Sequence, residues 1–114
     1  MSLREEQSAF WNDIILLSQF ALRIGFEITE GEGHRTTEQQ KLYVEQGKSK
    51  TMQSYHLNRL AHDLFFFKAG ALIQDKAGLQ EIGDYWESLH PLNSWGGNWS
   101  SFIDTPHFER RYRG

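Results

Sequence analysis

His56 and Asp63, joined from far along the chain by Asp104 and His107, are the residue types from which a hydrolytic metal centre is built. An open zinc site needs three protein ligands and a vacant position for water, with a further carboxylate nearby to take the water's proton. His56, Asp63 and His107 supply the ligands for one Zn2+ ion, and Asp104 is the candidate base. In the segment Asp104, Thr105, Pro106, His107 the proline fixes one backbone angle and favours extended geometry before it, which holds both ends in a stiff turn. An aspartate there is also a good turn-capping residue, and the residues alone leave both roles open for Asp104.

Spacing constrains how these groups meet. On one helix, the separation between His56 and Asp63 would mean a rise of about 10 Å, too far for both to reach one ion. On one strand, an odd separation would point them to opposite faces. The pair therefore requires a turn, expected at Asn58 and Arg59, with Asp63 on the strand that follows and His56 in the loop before it. His62 adjoins Asp63 and faces the other way, as a packing or surface residue. His90, before Pro91, is expected to meet the carbonyls of a helix end or pack on the aromatic loop, and His34 is a weaker second candidate near a cleft.

The elements that must position these residues can be read from periodicity. Ser2 with Glu5 has the capping-box pattern, and Phe10, Ile14, Leu17, Ala21 and Ile24 recur at helical spacing, which predicts a helix over 3–24. A strand is expected over 26–29 and a second helix over 37–46, opened by Thr36 and Gln39 and closed by Gly47. Residues 48–53 read as loop, and 60–67 with 71–74 as a hairpin. Leu79, Ile82, Trp86 and Leu89 define a third helix that ends at His90 and Pro91. Residues 92–104 read as loop with one short strand, and 108–112 as a strand that closes the sheet. The class is α+β: a small antiparallel sheet flanked by about three helices.

Composition narrows the function. With 114 residues, 39% of them apolar, the chain fits one domain, residues 1–114, without a separate cell-wall-binding module. A net charge of −3 gives no footprint for nucleic acid, and no apolar run suits membrane insertion or a secretory signal. The absence of cysteine excludes disulfides, thiolate metal sites and thiol nucleophiles. Arg110, Arg111 and Arg113 read as a solvated basic tail. Trp95, Trp99 and Phe102 read either as core or as the wall of a cleft, and Tyr55 beside His56 is a candidate substrate contact.

The segment from Ser54 through His56, Leu60 and Ala61 to Asp63, then Trp95, Gly96 and Gly97, then Asp104 to Phe108, resembles the zinc peptidases that include D-Ala-D-Ala carboxypeptidases, vancomycin-resistance dipeptidases and phage L-alanyl-D-glutamate endopeptidases. Residues 33–40, containing Arg35, resemble that family's arginine segment at a helix start. The resemblance implies the fold shared with the zinc-binding domain of Hedgehog proteins. It implies His56, Asp63 and His107 as zinc ligands, Asp104 as the catalytic carboxylate, and Arg35 as the arginine that contacts substrate, while Trp95 and Tyr55 are added as substrate-binding candidates from their place in the sequence. The expected activity is cleavage of the peptide stem of peptidoglycan by a monomeric phage or prophage endolysin. Such an enzyme is made in the host cytoplasm and acts on the wall after release, or rides in the virion. A D-Ala-D-Ala carboxypeptidase and a catalytically silent zinc-stabilised module are the alternatives. Arg59 stands where that family commonly has glycine; if the glycine serves a positive φ, Arg59 implies a different local turn.

Overall fold

The structure is a computed structural model and describes residues 2–49 and 51–113. Helix α1 spans Leu3–Arg23 and opens with the expected capping box, Glu5 N–H donating to Ser2 Oγ and Ser2 N–H to Glu5 Oε1. Its apolar stripe, Phe10, Ile14, Leu17 and Ala21, is buried, and Gly25 at φ 96 turns the chain into strand β1, Glu27–Glu30. Helix α2 is Thr37–Glu45, with Gln39 N–H bonded to Thr36 Oγ1. Strands β2, Ala61–Lys68, and β3, Ala71–Ile73, form the expected hairpin.

Helix α3, Lys76–Leu89, begins before its apolar period does. Asp75 caps it by accepting from Gly78 N–H at 2.8 Å, so its first turn is set by a cap on solvent-exposed residues and leaves no trace in the hydrophobic pattern. The aromatic segment after it holds the one short strand expected, β4, Asn93–Trp95. Strand β5, His107–Arg110, does not close the sheet as expected but lies between β2 and β4, and it starts one residue earlier than the apolar pattern suggests, because His107 pairs across the ladder with Asp63.

All the pairings are antiparallel, in the order β1-β2-β5-β4, with β3 also on β2. Strand alternation divides the sheet into two chemistries. Leu64 and Phe66 of β2 and Phe108 of β5 join the core with Phe10, Ile14, Leu79, Ile82 and Trp86 of the long helices. Phe108 makes edge contacts with Phe66 and Trp86, at centroid distances of 5.8 Å. Asp63 and His107, one step out of phase with these residues, stand on the opposite face.

Arg110 departs from the expected basic tail. It is 1% exposed and shares the core-facing phase of β5 with Phe108. Its Nη2 donates to Asp13 Oδ2 at 2.6 Å, its Nη1 to Glu6 Oε2 at 3.3 Å and its Nε to Asn93 Oδ1 at 3.2 Å. A buried ion network thus joins the sheet to α1, invisible in the sequence because it links residues at opposite ends of the chain. No described helix is long and apolar enough to cross a membrane.

Candidate metal centre and cleft

The β2–β5 ladder places Asp63 directly opposite His107. His56 arrives from a 3₁₀ turn, Tyr55–Asn58, whose start is fixed by Ser54 Oγ accepting from His56 N–H at 3.2 Å. The chain reverses at Arg59, which takes the left-handed conformation at φ 58 and ψ 36. A side chain in that conformation costs about 1–2 kcal/mol, and Arg59 nevertheless holds the positive φ that a glycine would take at lower cost. Gln7 of α1 steadies the reversal by donating to the Asn58 carbonyl at 2.8 Å.

His56 Nε2 lies 3.4 Å from Asp63 Oδ1, and His107 Nδ1 lies 3.3 Å from the same oxygen. One donor atom from each of the three residues falls within 4.8 Å of the others. The outward sides of both rings are also engaged. His56 Nδ1 bonds the Gly33 carbonyl at 2.7 Å, and His107 Nε2 bonds Glu109 Oε1 at 2.6 Å. Because a carbonyl oxygen can only accept, the proton of neutral His56 sits on Nδ1 and its Nε2 lone pair faces the cluster. This is the arrangement by which outer hydrogen bonds orient metal-binding histidines.

The electrostatics follow from this packing. Burial pushes Asp63 up, but hydrogen bonds from His107 and His56 and their charge outweigh it, so its carboxyl is held well below the ordinary carboxylate range. Glu109 is likewise lowered, burial being outweighed by the His107 contact and then by Arg111. For His107 burial acts downward, and the bonds to Asp63 and Glu109 prevail, raising it to about 9. A raised imidazolium stabilises the fold below its unfolded value of 6.5, and that contribution disappears as pH rises through about 9. The lowered carboxylates act in the opposite sense and lose their contribution as pH falls. The metal-free protein is therefore expected to lose thermal stability between pH 6.5 and 9, and to bind zinc more tightly over the same window as His107 gives up its proton. Melting curves in chelator across that range check this; a rising midpoint would contradict it.

Asp104 sits beside the trio without belonging to it. Its backbone N–H bonds the Gly96 carbonyl at 3.0 Å, and its carbonyl accepts from His107 N–H at 3.1 Å. A Cβ on Gly96 would come within 2.1 Å of the Asp104 carbonyl oxygen, so only glycine lets the two strands of this loop approach. Burial raises the Asp104 pKa, with the nearby His107 charge opposing.

Trp95 does not wall the cleft. It is fully buried, its ring lies against Gly83 of α3, and its indole N–H donates to the Thr105 carbonyl at 2.8 Å. Its role is to brace the turn that carries Asp104 and His107. Trp99 is the cleft residue instead, with its ring 5.1 Å from that of His107, and Phe102 lines the same cavity.

The open cavity holds about 460 Å³ and brings Arg35 and Tyr55 together with His56, Asp63, Asp104 and His107. Arg35 is heavily committed within the fold. Its Nε and Nη2 both engage Glu32, and its Nη1 reaches Gln40 and Ser54. Of the guanidinium's five N–H groups, these bonds leave too few for a bidentate substrate grip. His34 is exposed and does not line the cavity. His62 packs 5.5 Å from Trp11, and His90 accepts from Leu92 N–H at 3.1 Å rather than meeting helix carbonyls.

Residues 47–110 match the family described as D-alanyl-D-alanine carboxypeptidase. The chain belongs to that family. It is 37% identical to the L-alanyl-D-glutamate peptidase of Listeria phage A118, an alignment that covers 79% of this chain and 32% of the phage protein. The chain thus spans about a third of the length of that relative. Its fold matches the crystal structure of the Serratia marcescens L-Ala D-Glu endopeptidase with a TM-score of 0.69 and 26% identity, over 94% of this chain and 84% of that one. The α+β expectation is met.

Two acidic residues at the site were not foreseen. Glu109 is two positions beyond His107 on β5, and strand alternation alone places it on the same face, so the signal was available. Glu32, which anchors Arg35 and accepts from Tyr43 Oη at 2.9 Å, lies in an irregular segment where no period operates.

Proposed function

We propose that the chain is a zinc-dependent peptidoglycan peptidase that hydrolyses the bond between L-alanine and D-glutamate in the peptide stem. The observation that carries the zinc assignment is the pairing of converged inner ligand atoms with occupied outer ring nitrogens on both histidines. The choice of bond rests on the two relatives, each of which is named for that linkage.

His56, Asp63 and His107 would hold the ion, and a donor set of two imidazoles and one carboxylate suits zinc. Bound there, zinc supplies a Lewis acid that polarises a carbonyl and makes water a competent nucleophile near neutral pH. Asp104 takes a proton as the water oxygen adds to the alanyl carbonyl carbon. It returns that proton to the nitrogen of D-glutamate as the C–N bond breaks. Arg35, held rigid by Glu32, presents positive charge to the developing oxyanion and not a two-point clamp. Trp99 and Tyr55 flank the peptide, and the cell wall is the place of action.

Zinc binding and hydrolysis of purified peptidoglycan test the reading together. One ion per chain is expected, with activity lost in chelator and restored by stoichiometric zinc. Full activity in the metal-free protein would overturn it.

A further inference from the structure

The strongly charged residues that follow β5 are the part of the cavity that the chemistry above leaves unused. Arg111 and Arg113 both line the cavity that contains His107 and Asp104. The side chain of each is held by a hydrogen bond and an aromatic ring. Arg111 Nε donates to Glu109 Oε2 at 2.8 Å, and its guanidinium carbon lies 5.7 Å from the Trp99 ring centroid. Arg113 Nη2 donates to the Gln53 carbonyl at 2.8 Å, and its guanidinium carbon lies 4.2 Å from the Tyr55 ring. The Arg111 side chain nonetheless remains 52% exposed.

Such contacts restrict the long side chains before any ligand arrives, which lowers the entropy cost of gripping one. They are also unequal to the demand for charge. Arg35 is paired with Glu32 and Arg111 with Glu109, and Asp63, Asp104 and Glu109 make the floor of the cavity acidic. The exposed cations that line this cavity are Lys48, Arg111 and Arg113, and of these only the two arginines offer a planar guanidinium fork to an anionic substrate group.

We propose that Arg111 and Arg113 form a carboxylate-binding rim that recognises the free α-carboxylate of the D-glutamate residue in the stem. This rests on the L-alanyl-D-glutamate reading of the site. D-Glutamate linked onward through its side chain keeps that α-carboxylate immediately beside the nitrogen released by hydrolysis, so a site that cuts on the alanyl side must accommodate it. When the same group is amidated it becomes neutral and loses the charge-assisted bonds that a guanidinium fork supplies. The rim therefore makes the enzyme selective for the unamidated stem.

The test uses the zinc-loaded chain and two synthetic stem peptides that differ only in an α-carboxylate or α-carboxamide on D-glutamate. Wild-type protein is expected to cleave the carboxylate form with a kcat/KM about tenfold or more above the amide. In R113Q and R111Q the ratio is expected to fall toward one, chiefly through KM for the carboxylate peptide, with R111K retaining part of it. R113Q is the decisive variant because Arg113 does not touch Glu109, whereas loss of Arg111 also releases a partner of the metal-side carboxylate. Damage to the metal centre would lower both peptides together and leave the ratio intact. An unchanged ratio in R113Q and R111Q overturns the rim while leaving the peptidase reading standing. Cleavage of neither peptide by wild-type protein overturns both.

Discussion

Asp104→Asn is expected to slow peptide hydrolysis by about 10²–10⁴-fold, the usual contribution of a positioned acid–base group, while zinc content stays at the wild-type level. The carboxamide matches the carboxylate in shape, so the backbone bonds of residue 104 to Gly96 and His107 persist and the turn survives. Asp104 is not one of the three residues whose donor atoms converge, so the variant keeps the proposed zinc ligands. What the substitution removes is the ability to accept a proton at the cavity wall. Burial raises the pKa of Asp104, which makes the carboxylate a stronger base. Activity should therefore rise with pH through the titration of this group, and that acidic limb should vanish in the variant. Turnover on a stem peptide, zinc analysis and a melting curve on the same preparation separate the possibilities. A variant with normal turnover but a lowered melting temperature would assign Asp104 to turn capping alone.

The second large effect concerns stability. Arg110→Ala is expected to cost about 3–5 kcal/mol, because it leaves the carboxylates of Glu6 and Asp13 buried without a cation. This is a large fraction of the total stability of a domain of this size. The loss also removes the bond to Asn93, whose side chain ties β4 to Asp13 and to the Trp86 carbonyl. Replacing the network as a unit, with Arg110→Met, Glu6→Leu and Asp13→Leu, should recover much of the loss, since the desolvation cost goes with the charges. Arg4→Ala, on an exposed position of the same helix, should change stability by no more than about 0.5 kcal/mol. Urea unfolding of the zinc-loaded proteins checks all three; an Arg110→Ala protein of wild-type stability would contradict the role given to the network.

These two sites mark what a single sequence discloses. Helix α1 was legible from both its apolar repeat and its capping box, α2 from its cap and closing glycine, and α3 from its apolar repeat, which misses the first turn capped by Asp75. The convergence of His56, Asp63 and His107 was legible because only a turn between His56 and Asp63 lets them meet, and that turn is where the structure makes it. Trp95 was not assignable, since an indole in a glycine-rich segment suits a cleft wall and a core post equally. The structure decides by pressing it against Gly83. Arg110 and Arg111 are neighbours in an apparently uniform basic run, yet strand alternation sends one into the core and leaves the other beside the cleft. Their fates could not be separated before the register of β5 was known. Arg59 shows the limit of reading by residue type, because an arginine occupies a backbone conformation that glycine would fill at lower cost.

The central claim is cleavage of a particular bond by a zinc centre, and mass spectrometry of digested muropeptides addresses it most directly. Peptidoglycan treated with the zinc-loaded protein should release stem peptides that begin with D-glutamate, leaving L-alanine on the glycan, and the chelated protein should release none. Products shortened by a terminal D-alanine, or digestion that proceeds equally without zinc, would contradict it.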